Sequence, residues 1–264
     1  MHKEACIIAG TRMGGRPVLF KNRDRAYDAN LRVHRMEWKG TEVAFVLDLD
    51  SGYLEGLNEH GLGIVNTALM VLDDEKEGKK KGPPTKSKDG PKIFRALAER
   101  TLPEALRALL KDPIKGHTFI CQGDQLVCIE ASRTHKPRVG LLSMDRVNTR
   151  TNHGIAYPDA GYTKGDDYVS SVIRRWETQK RFQGLDAPED MARALYEKRI
   201  HEKGSPYNPV RDTEKMRTTN QVMFDLAGPA LYLYLIPGHS TFHGVVNRLD
   251  REPKIKLYVQ QYRG

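Results

Sequence analysis

The sequence predicts an α+β layered domain. Two observations carry that prediction. Short apolar runs bounded by Gly, Pro and Asn come in groups, as strands of antiparallel sheets do, and segments of helical period come in separate blocks instead of alternating singly with strands. No internal repeat at a fixed period is visible. In chain order, Cys6–Thr11 and Pro17–Asn22 read as two strands of a hairpin turning over Gly14-Gly15. Glu42–Leu49 and Gly61–Thr67 follow, the second entered through Asn58-Glu59-His60-Gly61. The period then changes. Ile93–Arg100 is helical, and Thr101-Leu102-Pro103-Glu104 is a capping box that opens a helix through Leu110, stopped before Pro113. Strands return at His117–Cys121, Gln125–Glu130, Arg138–Leu142 and Val147–Thr151, before two helices at Asp167–Phe182 and Ala187–Lys198. Thr219–Leu226 and Leu231–Ile236, joined by the tight turn Ala227-Gly228-Pro229, and Lys256–Gln260 close the strand set.

Composition narrows the class. With 264 residues, 39% hydrophobic and 29% charged, the chain suffices for one large domain and does not demand two. A mean hydropathy of −0.60, and no apolar run near the roughly 18 residues that span a bilayer, exclude a helical membrane protein. The polar start Met1-His2-Lys3-Glu4-Ala5 lacks the apolar core of a secretory signal. Three cysteines, Cys6, Cys121 and Cys128, form neither a CxxC pair nor an even disulfide set, so a reducing, cytoplasmic setting is expected, with no metal and no cofactor. A homo-oligomer is the expected assembly.

The net charge of +9 raises the question of a polyanionic partner. Much of the excess is local, in an insertion over 73–91 that is too rich in Lys, Gly and Pro to pack. That segment reads as a mobile, solvated loop. Nucleic acid is the alternative partner through it, but no aromatic residues interleave the lysines as a base-stacking surface requires.

Cys6 is the residue that points to chemistry. A thiol opens a short apolar strand, a Gly-Gly turn follows, and a second apolar run ends in Lys21-Asn22-Arg23-Asp24. The ordinary reading is a small buried hydrophobe. The pattern also resembles the start of the N-terminal nucleophile (Ntn) hydrolases, whose nucleophile is the first residue of the mature chain. In that arrangement the freed α-amine of Cys6, near pKa ~8, is matched as general base to its own thiol, near ~8.5.

Further segments recur in the order of one branch of that group, the choloylglycine hydrolases, penicillin V acylases and acyl-coenzyme A:6-aminopenicillanate acyltransferase-like proteins. Gly56-Leu57-Asn58-Glu59-His60-Gly61-Leu62-Gly63-Ile64-Val65-Asn66 is similar to their GxNExGLxxxxN strand. Gly116–Ile120 with Val127–Ala131 resembles the hairpin before their second polar site. Thr151-Asn152-His153 matches the TNH tripeptide of the acyltransferase-like proteins, and Ser170-Ser171-Val172-Ile173-Arg174-Arg175 their SSxxR helix start. The resemblance covers most of the chain outside the lysine segment. It implies a four-layer αββα sandwich of two antiparallel sheets, and cleavage of a linear, non-peptide amide, such as an N-acyl amino acid or another acylated amine, through a Cys6 thioester.

Roles follow from the same resemblance. The amides of Asn66 and Asn152 are expected to donate to the oxyanion, although a backbone N–H near Thr67 or Ala68 is open as an alternative to Asn66. Asp24 is expected to orient the amine or thiol of Cys6, and Arg174 to lower the thiol pKa. Lys21 and His153 are expected to contact substrate. Two departures are visible. Lys21 stands where the choloylglycine group has arginine, which keeps a cation but loses the bidentate fork. Cys6 also lies five residues from the start, so Met1–Ala5 must be removed by attack of its thiol on the Ala5 carbonyl. Acyl transfer from the same thioester, or a basic binding protein on an unprocessed scaffold, are the alternatives. A weaker relative is the Asn-Arg-Asp-Glu family, matched at three of four positions by Asn22-Arg23-Asp24-Arg25.

Overall fold

The computed structural model describes residues 4–69, 86–197 and 201–262. Strand β1 (Glu4–Met13) and β2 (Arg16–Arg25) form the expected hairpin, registered from Glu4 opposite Arg25 to Met13 opposite Arg16. Then come β3 (Ala29–Trp38), β4 (Thr41–Asp48), β5 (Leu54–Asn58) and β6 (Leu62–Ala68). Helices α1 (Asp89–Leu97) and α2 (Leu102–Lys111) precede β7 (Gly116–Gln122), β8 (Gln125–Ala131), β9 (Arg138–Leu142) and β10 (Asn148–Arg150). Helices α3 (Gly165–Phe182) and α4 (Asp190–Tyr196) lead into β11 (Arg217–Asp225), β12 (Ala230–Leu235), β13 (Ser240–Arg248) and β14 (Lys256–Gln261).

The strands build two sheets, ordered β10-β1-β2-β11-β12-β14 and β13-β3-β4-β5-β6-β7-β8-β9. Three apolar clusters stack them into layers. Ile8, Leu19, Val222 and Leu233 of the first sheet meet Val33, Leu57, Val65 and Phe119 of the second. On the outer face of the second sheet, Ile64 and Ile120 pack under Ile93 and Leu97 of α1 and Leu109 of α2. On the outer face of the first, Ala9, Phe20 and Met223 pack under Phe182 of α3 and Met191 and Leu195 of α4. The order is helix, sheet, sheet, helix: the αββα sandwich. Alternation does the sorting, since Ile8 and Leu19 face the partner sheet while Ala9 and Phe20 face the helices.

Each sheet also carries one parallel pair, β12 with β14 and β13 with β3, because the chain leaves the first sheet after β12, adds β13 to the second and returns. The capping box of α2 forms as read, with Glu104 Oε2 accepting from Thr101 N at 3.1 Å. Helix α1 starts at Asp89 instead of Ile93, inside the range expected for the insertion, because the Gly90 backbone lies directly against the Gly52 carbonyl with no room for a side chain. Residues 73–85 of that insertion, with the lysines among them, lie outside the described residues, as do Met1–Lys3. Strands β3, β5 and β13 were not expected. In β3, Arg32 and His34 alternate with Leu31 and Val33 in a half-buried pattern, and β13 is interrupted at Gly244 and shifts register between Phe242 and Val245. Among the described residues no helix is long and apolar enough to cross a membrane.

Candidate active site

Cys6 is the third residue of β1, opposite Arg23 of β2, and is 3% exposed. Its side chain shares the inter-sheet face with Ile8, Arg23 and Lys21; Ala5 shares the helix-side face with its partner Asp24. The two faces carry different networks, and both reach Cys6.

On the helix side, Arg174 of α3 is the hub. It is fully buried; its Nη1 donates to Asp24 Oδ2 at 3.0 Å and its Nη2 to Asn152 Oδ1 at 3.3 Å. That same Asn152 oxygen accepts the backbone N–H of Cys6 at 3.2 Å. Asn152 has no freedom to turn, because its Nδ2 donates to Thr67 Oγ1 at 3.0 Å and to the Ala68 carbonyl at 2.8 Å. Thr67 Oγ1 donates in turn to the Cys6 carbonyl at 3.4 Å. Asp24 Oδ1 accepts from Thr218 Oγ1 at 2.7 Å and Asn22 Nδ2 at 2.9 Å, and Arg211 stands 3.7 Å from its Oδ2. Burial pushes the Asp24 carboxyl up against the pull of Arg174 and Arg211. Burial and the neighbouring Arg211 push the Arg174 guanidinium down to about 10.

On the inter-sheet side, Lys21 Nζ lies 2.8 Å from Glu55 Oε2, 3.5 Å from Asn66 Oδ1 and 4.3 Å from the Tyr53 ring centre. Arg23 reaches the same Glu55 oxygen at 3.3 Å and sits 3.9 Å over the same ring. Burial lowers the Lys21 ammonium, with Glu55 opposing, and raises the Tyr53 phenol. Cys6 lies within electrostatic range of Lys21, Tyr53 and Arg174. None of the three cysteines is in a disulfide, and burial pushes the Cys121 thiol up to about 12 and the Cys128 thiol to about 11. Those two are core residues.

The seven residues read from the sequence therefore divide. Cys6, Asp24, Asn152 and Arg174 form one connected network. Lys21 and Asn66 belong to the Glu55 cluster, where Tyr53 OH also donates to Asn66 Oδ1. Asp24 reaches Cys6 through Arg174 and Asn152, since it sits opposite Ala5. The Asn152 oxygen, not its nitrogen, faces Cys6. His153 turns its ring toward α3, with Nδ1 2.9 Å from Ser171 Oγ and 3.2 Å from Thr151 Oγ1; burial, then Arg175 and Arg174, push it down to about 4. Arg211, Thr218, Tyr53 and Glu55 were missed, and Thr67 was read only for its backbone N–H, not for the hydroxyl that links Asn152 to Cys6. Glu55 had a signal, as a carboxylate leading directly into Gly56-Leu57-Asn58; Arg211 had none. No group of His, Cys, Asp and Glu that would hold a metal occurs among the described residues.

No protein-family model matches the chain, and no curated protein does. Among solved structures, it is similar to penicillin V acylase from Agrobacterium tumefaciens, at 11% identity over 87% of this chain and 86% of that chain, with a TM-score of 0.45.

Proposed function

We propose that the chain is a self-processing cysteine amidohydrolase of the N-terminal nucleophile kind, acting on a linear C–N amide through a Cys6 thioester. One observation carries the reading. The backbone nitrogen of Cys6, which loss of Met1–Ala5 would turn into an α-amine, is already held by Asn152, inside a buried clamp that includes Arg174 and Asp24. A buried strand N–H beyond the end of β10 needs an acceptor in any case; what a structural cysteine does not call for is an acceptor fixed from both sides, by Arg174 at its oxygen and by Thr67 and Ala68 at its nitrogen. The resemblance in motif order supports the same assignment.

In processing, the Cys6 thiol attacks the Ala5 carbonyl carbon, the Ala5–Cys6 C–N bond breaks, and the nitrogen takes up the proton as the amine forms. Water then cleaves the thioester, releasing Met1–Ala5 as a carboxylate. In turnover the freed amine takes the thiol proton and delivers it to the leaving amine of the substrate. Asn152 Oδ1 holds the amine in place, and Asp24 holds Arg174 so that Arg174 can hold Asn152. The oxyanion donor is Asn66 or a backbone N–H near Thr67. Lys21 and Arg174 lie within electrostatic range of the thiol, and positive charge there would favour its thiolate.

Intact-mass measurement tests the proposal. Wild-type protein should begin at Cys6, whereas Cys6→Ala should retain Met1–Ala5. Full-length wild-type protein that still turns over an amide would refute the mechanism.

A further inference from the structure

Strand β1 does not begin at the nucleophile. It runs on toward the N-terminus, with Ala5 registered on Asp24 and Glu4 on Arg25. On its other side β2 is paired through the same residues, Asp24 with Thr218 and Arg25 with Arg217 of β11. Both β2 residues are buried, and Ala5 is 0% exposed on the face it shares with Asp24. Removal of Glu4 and Ala5 therefore opens a lane one strand wide and two residues long, walled by a buried backbone edge. The β2 N–H and C=O groups that faced Ala5 and Glu4 then lose their protein partners, so the lane is matched to an occupant with alternating N–H and C=O groups in extended form. Beside it lies the buried space of the Ala5 methyl, on the face of the sheet that carries Asp24, a carboxylate fixed by Arg174, Thr218 and Asn22.

We infer that the acyl group accepted by the mature site is peptide-like: an extended acyl-aminoacyl chain whose last residue is alanine-sized, laid along Asp24–Arg25 of β2 in the lane Glu4–Ala5 leave. This rests on the reading of Cys6 as an N-terminal nucleophile and specifies its substrate. The scissile carbonyl is that of the small residue, as the Ala5 carbonyl was in processing. The thiol adds to it, the amine departs with the thiol proton, and water returns the acid and the thiol. A residue with a branched side chain in place of alanine meets the fixed Asp24 cluster, and overpacking of that kind is disfavoured. A plain hydrocarbon acyl group fits the width of the lane but leaves the β2 edge unpaired.

The test uses the purified protein and three fluorogenic aminocoumarin amides: acetyl-Glu-Ala, acetyl-Glu-Leu and octanoyl, which has the same number of backbone atoms as acetyl-Glu-Ala. Acetyl-Glu-Ala should exceed octanoyl in kcat/KM by roughly tenfold, as expected for one or two backbone hydrogen bonds, and exceed acetyl-Glu-Leu by at least about tenfold. In the precursor, Ala5→Leu should accumulate unprocessed chain while Ala5→Ser processes normally. Octanoyl turned over as fast as acetyl-Glu-Ala by protein that begins at Cys6, or Ala5→Leu processed at the wild-type rate, would overturn the inference and leave the amidohydrolase reading standing. Protein that keeps Met1–Ala5 and turns over none of the three would overturn both.

Discussion

Asn152 makes more of the site depend on it than any other side chain. Its oxygen accepts from Cys6 N and Arg174, and its nitrogen donates to Thr67 and Ala68, so four groups lose a partner if it is truncated. Asn152→Ala should slow self-cleavage and lower kcat by on the order of 10²–10³, with KM changing much less, because orientation of the reacting amine is lost and not uniform binding. Arg174→Met should damage both processing and fold, since it leaves Asp24 buried with its strongest ion-pair partner gone, a loss typically of about 3–5 kcal/mol. Mass spectrometry for cleavage and denaturant midpoints for stability separate the two effects. That Cys6, Asp24, Asn152 and Arg174 belong together was legible in the sequence because the motifs fix their order. Thr218, Arg211 and the hydroxyl of Thr67 were not, because a hydroxyl or guanidinium that orients another side chain is set by tertiary placement and leaves no spacing to read.

At the scale of the element, the loop after β10 holds Asn152 in position. Glu130 of β8 accepts the backbone N–H groups of Ile155, Ala156 and Tyr157 at 3.0, 2.9 and 3.1 Å, and His117 Nε2 sits 2.9 Å from the His153 carbonyl. Gly154 packs its backbone on the Tyr157 carbonyl, and Gly161, at φ +76°, closes on the Asn152 carbonyl; neither position admits a Cβ. His117 and His153 are both pushed to about 4, by burial first. The sign follows directly. The unfolded chain takes up protons below the ordinary histidine pKa of ~6.5, while the folded chain resists until about 4, so stability present above pH ~6.5 is lost as pH falls toward 4. The thermal midpoint should drop across that window, and replacing His153 with Gln should flatten the drop. Asp48, held at about 2 by Arg25 despite burial, acts only below its ordinary value near 3.8, so its contribution is lost in a separate, more acid range. A midpoint that stayed level from pH 7 to 4 would show that the two rings are not held neutral.

At the scale of the molecule, the α+β class was legible in the grouping of strand and helix blocks, whereas the four layers were expected only from the resemblance in motif order; in the structure, alternation sorts each strand's residues between an inner and an outer core. Ile8 and Ala9, or Leu19 and Phe20, serve different clusters one residue apart. The parallel additions β13 and β14 were not legible as pairings, since nothing local in a strand specifies which sheet it joins. Nor was the buried polar ladder at one end of the sandwich, where Lys21, Arg23 and Arg25 of β2 point across the inter-sheet space at Glu55 and Asp48. Charged residues in a strand ordinarily mark its solvent face, and here the same alternation carries them inside. The consequence is an asymmetry in what the fold tolerates. Glu55 serves two cations, whereas Lys21 shares its carboxylate with Arg23, so the two truncations leave different residues behind. Lys21→Met leaves Glu55 with Arg23 still 3.3 Å away, and the methylene stem is replaced by a chain of similar volume. Glu55→Gln leaves two buried cations over one tyrosine ring with their shared counter-charge removed. Glu55→Gln should therefore destabilise by about 3–5 kcal/mol and Lys21→Met by clearly less, and adding Lys21→Met to Glu55→Gln should recover part of the loss. Urea midpoints of the four proteins give the cycle. If the double variant were less stable than Glu55→Gln alone, the cluster would be held by packing around Tyr53 and not by charge, and its positive field could not be credited with poising Cys6.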